Sequence, residues 1–197
     1  VWSLAQAQAN RELKKGQSVN QHLPASPELQ DAFRTVFRGH PAGVTLITGT
    51  VDGQPVGITA TSVSSLSLDP LAVSFSFMKP TGSAERLLRA DSLLIHFLSD
   101  AHADVAAAFA SSTAERFSAQ QGWLTAPTGE PYLPGARAVI RVKVADTAHS
   151  GPATLVAAEV LEVHNLQETS ALLYQGHRFY SIENAQPLAS EEEHKHP

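Results

Sequence analysis

The sequence predicts a mainly β fold with flanking helices, an antiparallel barrel with the helices packed outside it. Three observations predict it. Segments with apolar residues at alternate positions outnumber helical ones. Most of these segments are separated by short turn signals, not by the long helices of alternating βαβ units. Neither G-x-G-x-x-G nor G-x-x-x-x-G-K-[ST] occurs, so a Rossmann or P-loop domain is disfavoured.

The elements follow in order. Ser26 can cap a helix whose first turn holds Pro27, and Leu29, Ala32, Phe33, Val36 and Phe37 form one apolar stripe before Gly39 and Pro41 end it. Val44 to Thr48 reads as a strand, Asp52-Gly53 as a hairpin turn and Val56 to Thr61 as the returning strand. GITATSVSSLSLDP, from Gly57 to Pro70, begins like a strand and then turns small and polar. Such a run is either a solvated loop bonding its own backbone or a surface against which something polar lies. LAVSFSF places Leu71, Val73, Phe75 and Phe77 on one face of a strand. KPTGS turns into a helix with Ala84, Leu87 and Leu88 inward; SLLIHFLS is a buried strand, and Ala103 to Ala110 a helix. TAERFSAQQGW reads as a short helix or irregular turn, and APTGEPYLPG as a loop. ARAVIRVKV alternates, with Ala138, Ile140, Val142 and Val144 on one side, and ATLVAAEVLEV is its antiparallel partner. ALLYQGHRFYSI closes the domain as a strand pair or extended arm. No internal repeat is present. Gly49, Gly53 and Gly57 read as turn glycines.

With 197 residues and 43% apolar side chains, the chain has room for one domain with a sizeable core. The boundaries are an N-terminal helix and linker over 1–26, the domain over 27–185, and a charged, disordered tail over 186–197. A net charge of -5, with Arg11, Lys14 and Lys15 the densest basic patch, argues against nucleic-acid binding. The absence of cysteine excludes disulfides, thiolate metal sites and cysteine nucleophiles, and fits a cytoplasmic location. No apolar run reaches the length of a membrane span. The histidines, among them His149, His164 and His177, lack metal-ligand spacing, and those of the tail, His194 and His196, are at most weak chelators. No G-x-S-x-G marks a hydrolase.

Three stretches carry candidate chemistry. Short hydroxyls and backbone N–H groups of the Gly57–Pro70 run can cradle a polar ring edge, and Ala60 leaves room for a flat ligand; the alternative is a self-bonded loop. Lys79, Thr81 and Ser83 before a helix can hold a phosphate or can simply cap it. Arg116-Phe117 can serve a ligand or a core contact.

Taken in order, FRTVFRGHPAGVTLIT, DGQPVGITATSVSSLSLDP, KPTGSA, IHFLS, A-x-x-F-A-x-x-x-x-x-R-F and ALLYQGHRFY form a series over residues 31–182. The series resembles the short-chain flavin reductase family, the reductase components of two-component monooxygenases. The resemblance implies a Greek-key, FMN-binding split β-barrel and a homodimer with flavin near the subunit interface. It implies FMN as cofactor, with FAD the alternative, and NADH or NADPH as hydride donor. Reduced flavin would pass to a partner flavin-dependent monooxygenase.

By position, Thr59, Ala60, Thr61, Ser62 and Val63 would line the isoalloxazine edge, with Ser65 nearby. Lys79, Thr81, Gly82 and Ser83 would approach the phosphate or ribityl chain, and Arg116 and Phe117 would contact the flavin from another side. Many members carry Gly-Asp-His before the strand corresponding to ATLVAAEV, where this chain has Gly151-Pro152-Ala153. The role of that histidine is therefore not carried over. His149 nearby, with Tyr174, His177 and Arg178, are the nicotinamide candidates, and no catalytic residue is assigned. Two other readings stand beside the reductase: a flavin-carrying module without efficient NAD(P)H oxidation, and a split-barrel oxidase acting on its own substrate.

Overall fold

The computed structural model describes residues 25–183. The predicted tail and nearly all of the predicted N-terminal extension lie outside the described residues. The chain divides into two compact units, 1–37 and 38–197. The division falls within the last turn of the predicted helix, whereas the sequence boundary groups that whole helix with the strands. The helix α1 (Pro27–Gly39) starts where its cap predicts: the Leu29 N–H donates to Ser26 Oγ at 3.2 Å.

In the second unit a seven-stranded sheet runs in the order β3-β2-β6-β9-β10-β5-β4. Its strands are β2 (Thr45–Val51), β3 (Gln54–Ala60), β4 (Ser64–Leu68), β5 (Leu71–Phe77), β6 (Leu93–Phe97), β9 (Ala138–Ser150) and β10 (Ala153–His164), with every neighbour antiparallel. A second sheet joins β1 (Ala42–Gly43), β11 (Leu172–Gln175) and β12 (Arg178–Ser181), and β7 (Leu124–Thr125) pairs with β8 (Pro131–Tyr132). Among the described residues the α-helices of this unit are α2 (Ser83–Leu87) and α3 (Ala103–Ala110). Among the described residues no helix is long and apolar enough to cross a membrane.

Connectivity dictates the curl of the large sheet. Its two edge strands, β3 and β4, are consecutive in the chain and joined only by residues 61–63. Four Cα-to-Cα steps reach at most about 14 Å, so the first and last strands must swing towards each other. One face becomes the inside of a split barrel. There Ile47, Val56, Ala60, Val73, Phe75, Phe77, Ile95, Ile140, Val142 and Val156 form one core, closed by Ala84 and Leu87 of α2. A second core lies where Ala106 and Phe109 of α3 meet Val44, Leu46, Leu98 and Leu172. The mainly β, split-barrel expectation is therefore met.

Local readings differ at three places. The hydroxyl-rich run is not a loop throughout: Ser64–Leu68 forms edge strand β4, paired to β5 on one side only and mostly exposed. Small polar side chains suit such an edge, where burial is slight. The APTGEPYLPG segment carries the short strand β8 and folds back on β7. Of the three glycines, only Gly53 is a turn residue, at φ 71° beside Asp52 at φ 53°, as a two-residue hairpin turn requires. Gly49 and Gly57 are mid-strand and small for packing: a Cβ on Gly57 would lie 2.5 Å from the Phe109 ring, and one on Gly49 would lie 3.0 Å from Leu93.

Candidate functional site

The Thr61–Val63 connection crosses the split of the barrel; one clamp fixes it to the segment 76–83, and a second ties the strand before it to that segment. At one end, Ser62 Oγ accepts from the Ser76 N–H at 3.0 Å and donates to the Ser76 carbonyl at 3.2 Å. At the other, Arg116 Nη1 donates to Ser83 Oγ at 3.1 Å and to the Gly57 carbonyl at 3.4 Å, while its Nη2 donates to the Ser111 carbonyl at 2.6 Å. One guanidinium thus ties together the three stretches singled out in the sequence, because its planar fork presents several donors in fixed directions.

Behind it stands an aromatic wall. The Phe109 and Phe117 rings meet edge to face at 4.8 Å, and Trp123 lies 5.0 Å from Phe117. Arg116 Cζ sits 5.8 Å from the Phe109 centroid. Phe117 takes φ 59°, a left-handed conformation uncommon for a side chain of this bulk. Its place beside Arg116 and the wall fixes that conformation.

The hydroxyls of the run divide into two sets. Thr59 Oγ1 donates to the Ala106 carbonyl of α3 at 2.7 Å, Ser64 Oγ to the Ser65 carbonyl, and Ser67 Oγ accepts from the Asp69 N–H. With Ser62, these are spent on the fold. Thr61 is exposed, and neither its hydroxyl nor that of Ser65 has a hydrogen-bond partner among the described residues. Outside the strand ladders, no hydrogen bond involves the N–H of Thr61, Ser62 or Val63 among the described residues. Val63 packs its side chain on the barrel core, and Ala60 lies inside it.

The turn before α2 is also open. Lys79 and Thr81 are exposed, and the Thr81 N–H donates to the Lys79 carbonyl at 2.8 Å. Gly82 has φ 59°, which favours glycine, and the space beyond its Cα is empty. Ser83 opens α2 and meets Arg116.

Of the nicotinamide candidates, His149 joins this end of the molecule. It pairs across the ladder with Thr154, which pairs with Phe77, two residues before Lys79. Directly opposite residues share a sheet face, so His149 lies in line with the inward-facing Phe77, and its Nδ1 is 3.1 Å from Thr154 Oγ1. Gly151-Pro152 forms the turn between β9 and β10, with Gly151 at φ 55°. Tyr174, His177 and Arg178 belong to the other sheet. Tyr174 stacks on Phe179 at 5.2 Å, and His177, at φ 64°, forms the β11–β12 turn with Gly176. No hydrogen bond or ion pair links them to the Gly57–Pro70 run, the KPTGS turn or Arg116-Phe117 among the described residues.

Sequence reasoning missed Ser76, Ser111 and Trp123. Ser76 and Ser111 act through backbone groups, which leave no residue signature. Trp123, a bulky ring just after a glycine turn, carried a usable signal. Among the described residues no cluster of acidic and histidine side chains is suited to a metal ion.

Split barrel, open donors across its split and a fixed cation beside them define a class of binding fold. Residues 37–183 match the flavin reductase like domain, and the chain belongs to that family. It is 39% identical over 167 residues to the NADH:FMN oxidoreductase of Rhodococcus qingshengii, covering 80% of this chain and 87% of that protein. It is 30% identical to HsaB, the reductase subunit of a flavin-dependent monooxygenase of Rhodococcus jostii, covering 77% of each chain. The flavin reductase domain protein of Arthrobacter sp. FB24 superposes with a TM-score of 0.74 at 28% identity, over 82% of this chain and 99% of that one.

Proposed function

We propose that this chain is an NAD(P)H-dependent flavin reductase, with FMN as its preferred flavin and NADH as its preferred donor, supplying reduced flavin to a partner monooxygenase. The observation that carries the reading is the Thr61–Val63 crossing, clamped through Ser62 to Ser76, whose backbone N–H groups and Thr61 hydroxyl lack partners among the described residues, next to a strand that Arg116 ties to Ser83 of the KPTGS turn. The relation to the Rhodococcus oxidoreductase supports FMN and NADH over FAD and NADPH, and the relation to HsaB supports the monooxygenase partner. A homodimer working in the cytoplasm completes the proposal.

The residues fit a flavin. Donors at Thr61, Ser62, Val63 and Ser65 suit the polar edge of the ring system. Thr59 and Ala60 place that segment, and Phe117 with Arg116 bounds its side. Lys79 supplies positive charge for a phosphate, and Thr81, Gly82 and Ser83 supply hydroxyls and close backbone approach.

Flavin, when bound, supplies the capacity to accept and pass on a hydride. The chain's own contribution is positional. Fixed N–H and O–H dipoles of the chain would favour negative charge at the ring edge without reorganising. No protein acid or base is needed for that step. His149, at the end of the ladder beside Phe77, is the best placed of the nicotinamide candidates; Tyr174, His177 and Arg178 would need to reach across from the other sheet.

The test is flavin-dependent NADH oxidation by the purified protein, followed at 340 nm with FMN and then FAD, and repeated with NADPH. Turnover is expected and fastest with FMN and NADH; no turnover with any pair would sink the enzyme. A carrier without nicotinamide oxidation is the second reading, favoured by a Gly151-Pro152 turn whose residues offer no hydrogen-bonding side chain. Retained flavin absorbance with no NADH oxidation would select it.

A further inference from the structure

A cavity of about 400 Å³ lies on the outer face of the sheet, away from the flavin segments. Its floor includes Leu94 of β6 and Glu162 and His164 of β10; its wall is the β7–β8 hairpin, with Leu124, Ala126 and Tyr132. His164 and Thr154 are at opposite ends of β10, ten residues apart in sequence. At the usual rise that is roughly 30 Å along the strand. No residue is shared with the flavin segments.

The wall is built in, not draped. Thr48 Oγ1 donates to the Pro131 carbonyl and Thr50 Oγ1 to the Gly129 carbonyl, both at 2.7 Å. Between them Glu130, 2% exposed, takes hydroxyl hydrogen bonds from Ser92 and Thr128. The hairpin is thus pinned to the sheet by buried polar groups.

Its chemistry selects an occupant. The volume lies in the range of small-molecule sites, and a dry cavity of about 150 Å³ is enough for a benzene ring. Leu94, Leu124, Ala126, Pro127 and the Tyr132 ring give apolar walls. Polar groups stand at the rim: Thr125, Thr128, Glu162 and His164. Charge is the discriminating feature. Arg141, opposite Leu94 in the ladder, is paired at 2.6 Å with Glu162, which also meets His164 at 3.0 Å. Glu130 is a second carboxylate close to the same guanidinium. The next cation along that face of β9, Lys143, stands opposite Glu159. Arg141 is therefore already committed to a carboxylate, though its Nε is buried and unbonded, and Arg137, whose Nε is likewise unbonded, does not line the cavity; among the described residues the lining offers hydroxyl and carboxylate acceptors and no free guanidinium.

We propose that this cavity is a second small-molecule site, for an uncharged one- or two-ring aromatic compound bearing a hydroxyl or amine donor. The donor meets the carboxylate and hydroxyl acceptors of the rim, and the ring lies between Leu94 and the hairpin. An anion, a flavin phosphate included, is repelled. The inference does not rest on flavin binding.

The test uses 2-naphthol as the neutral donor, 2-methoxynaphthalene as its donor-free analogue and 2-naphthoate as the anion, titrated into the full chain with and without saturating FMN and followed by amide chemical shifts. Saturable 2-naphthol binding is expected, with shifts at residues 124–128 and 162–164, unchanged by FMN. The methoxy analogue should bind several-fold, and the carboxylate at least tenfold, more weakly. Ala126→Trp, which fills the cavity, and Leu124→Trp, at an exposed wall position, should each weaken binding at least tenfold while the thermal midpoint stays put. Should Ala126→Trp not fold, Leu124→Trp decides. No saturable binding, shifts at 59–65 instead, displacement by FMN, equal binding of the carboxylate, or full binding by both variants would overturn the proposal.

Discussion

His96 predicts a defined loss of stability in mild acid. The side chain is fully buried on β6, with Nδ1 3.2 Å from the Leu46 carbonyl and Nε2 accepting the Leu133 N–H at 3.2 Å. Trp123 and Tyr132 flank it at 5.8 and 6.3 Å. One nitrogen must donate and the other accept, which only the neutral ring can do. Burial, opposed by the Leu46 carbonyl and reinforced by nearby His102, pushes its pKa from 6.5 down to about 4. A folded-state pKa below the unfolded value means that the unfolded chain binds the proton first. Stability from this group is full above pH 6.5 and is lost as pH falls towards 4. At 1.36 kcal/mol per pH unit the whole window is worth about 3 kcal/mol, and the step from pH 6.5 to 5.0 about 2 kcal/mol. His102, whose pKa burial also lowers, adds a loss of the same sign. Urea unfolding at pH 7.5, 6.5, 5.5 and 5.0 measures it, keeping above the range where carboxylates protonate. His96→Gln, whatever its stability at pH 7.5, should lose about 2 kcal/mol less between pH 6.5 and 5.0 than the parent. An undiminished acid loss in that variant would refute the assignment.

Three further outcomes follow from the site. Thr61→Trp, at an exposed position, should change unfolding free energy by less than about 0.5 kcal/mol yet raise the FMN dissociation constant about tenfold or more, a loss of about 1.4 kcal/mol; an unchanged flavin titration would count against the placement. Lys79→Glu should weaken FMN by roughly ten- to a hundred-fold and riboflavin far less, as loss of a charge-assisted phosphate contact requires, and equal losses for both ligands would remove Lys79 from the phosphate site. Gly57→Ala drives a Cβ to 2.5 Å from the Phe109 ring and should cost about 1–3 kcal/mol by overpacking; differential scanning calorimetry should show a lower midpoint, and an unshifted midpoint would mean that the aromatic wall gives way freely.

The fold was legible wherever period and punctuation agree. The Asp52-Gly53 turn, the β9–β10 pair and α3 stand where alternation and caps put them. Edge strand β4 was not legible, because its only apolar side chains, Leu66 and Leu68, are both exposed and the strand is bonded on one side, so a short hydroxyl-rich run gives no sign of a buried face. The packing role of Gly57 was hidden for a related reason: the ring that demands it, Phe109, lies far along the chain. Arg116 shows the limit in the candidate site. Sequence can mark an arginine next to a phenylalanine, but not that its fork reaches Gly57, Ser83 and Ser111 at once. The cavity under the β7–β8 hairpin left no sequence signal, since its wall is held by backbone carbonyls and a buried glutamate.

The hydroxyl-rich run gains its meaning from the closure of the sheet. A chain that passes from one edge strand to the other in three residues must cross the split of the barrel. A bulky crossing would fill the split, and an unanchored one would wander. Small residues solve the first problem. Hydroxyls bonded to backbone solve the second, through Thr59 on α3 and Ser62 on β5. Once those two are held, the residue between them that points to solvent, Thr61, has no structural work left for its hydroxyl. The same connection that closes the barrel therefore presents donors at the barrel's opening, and the proposed binding edge is a consequence of the topology.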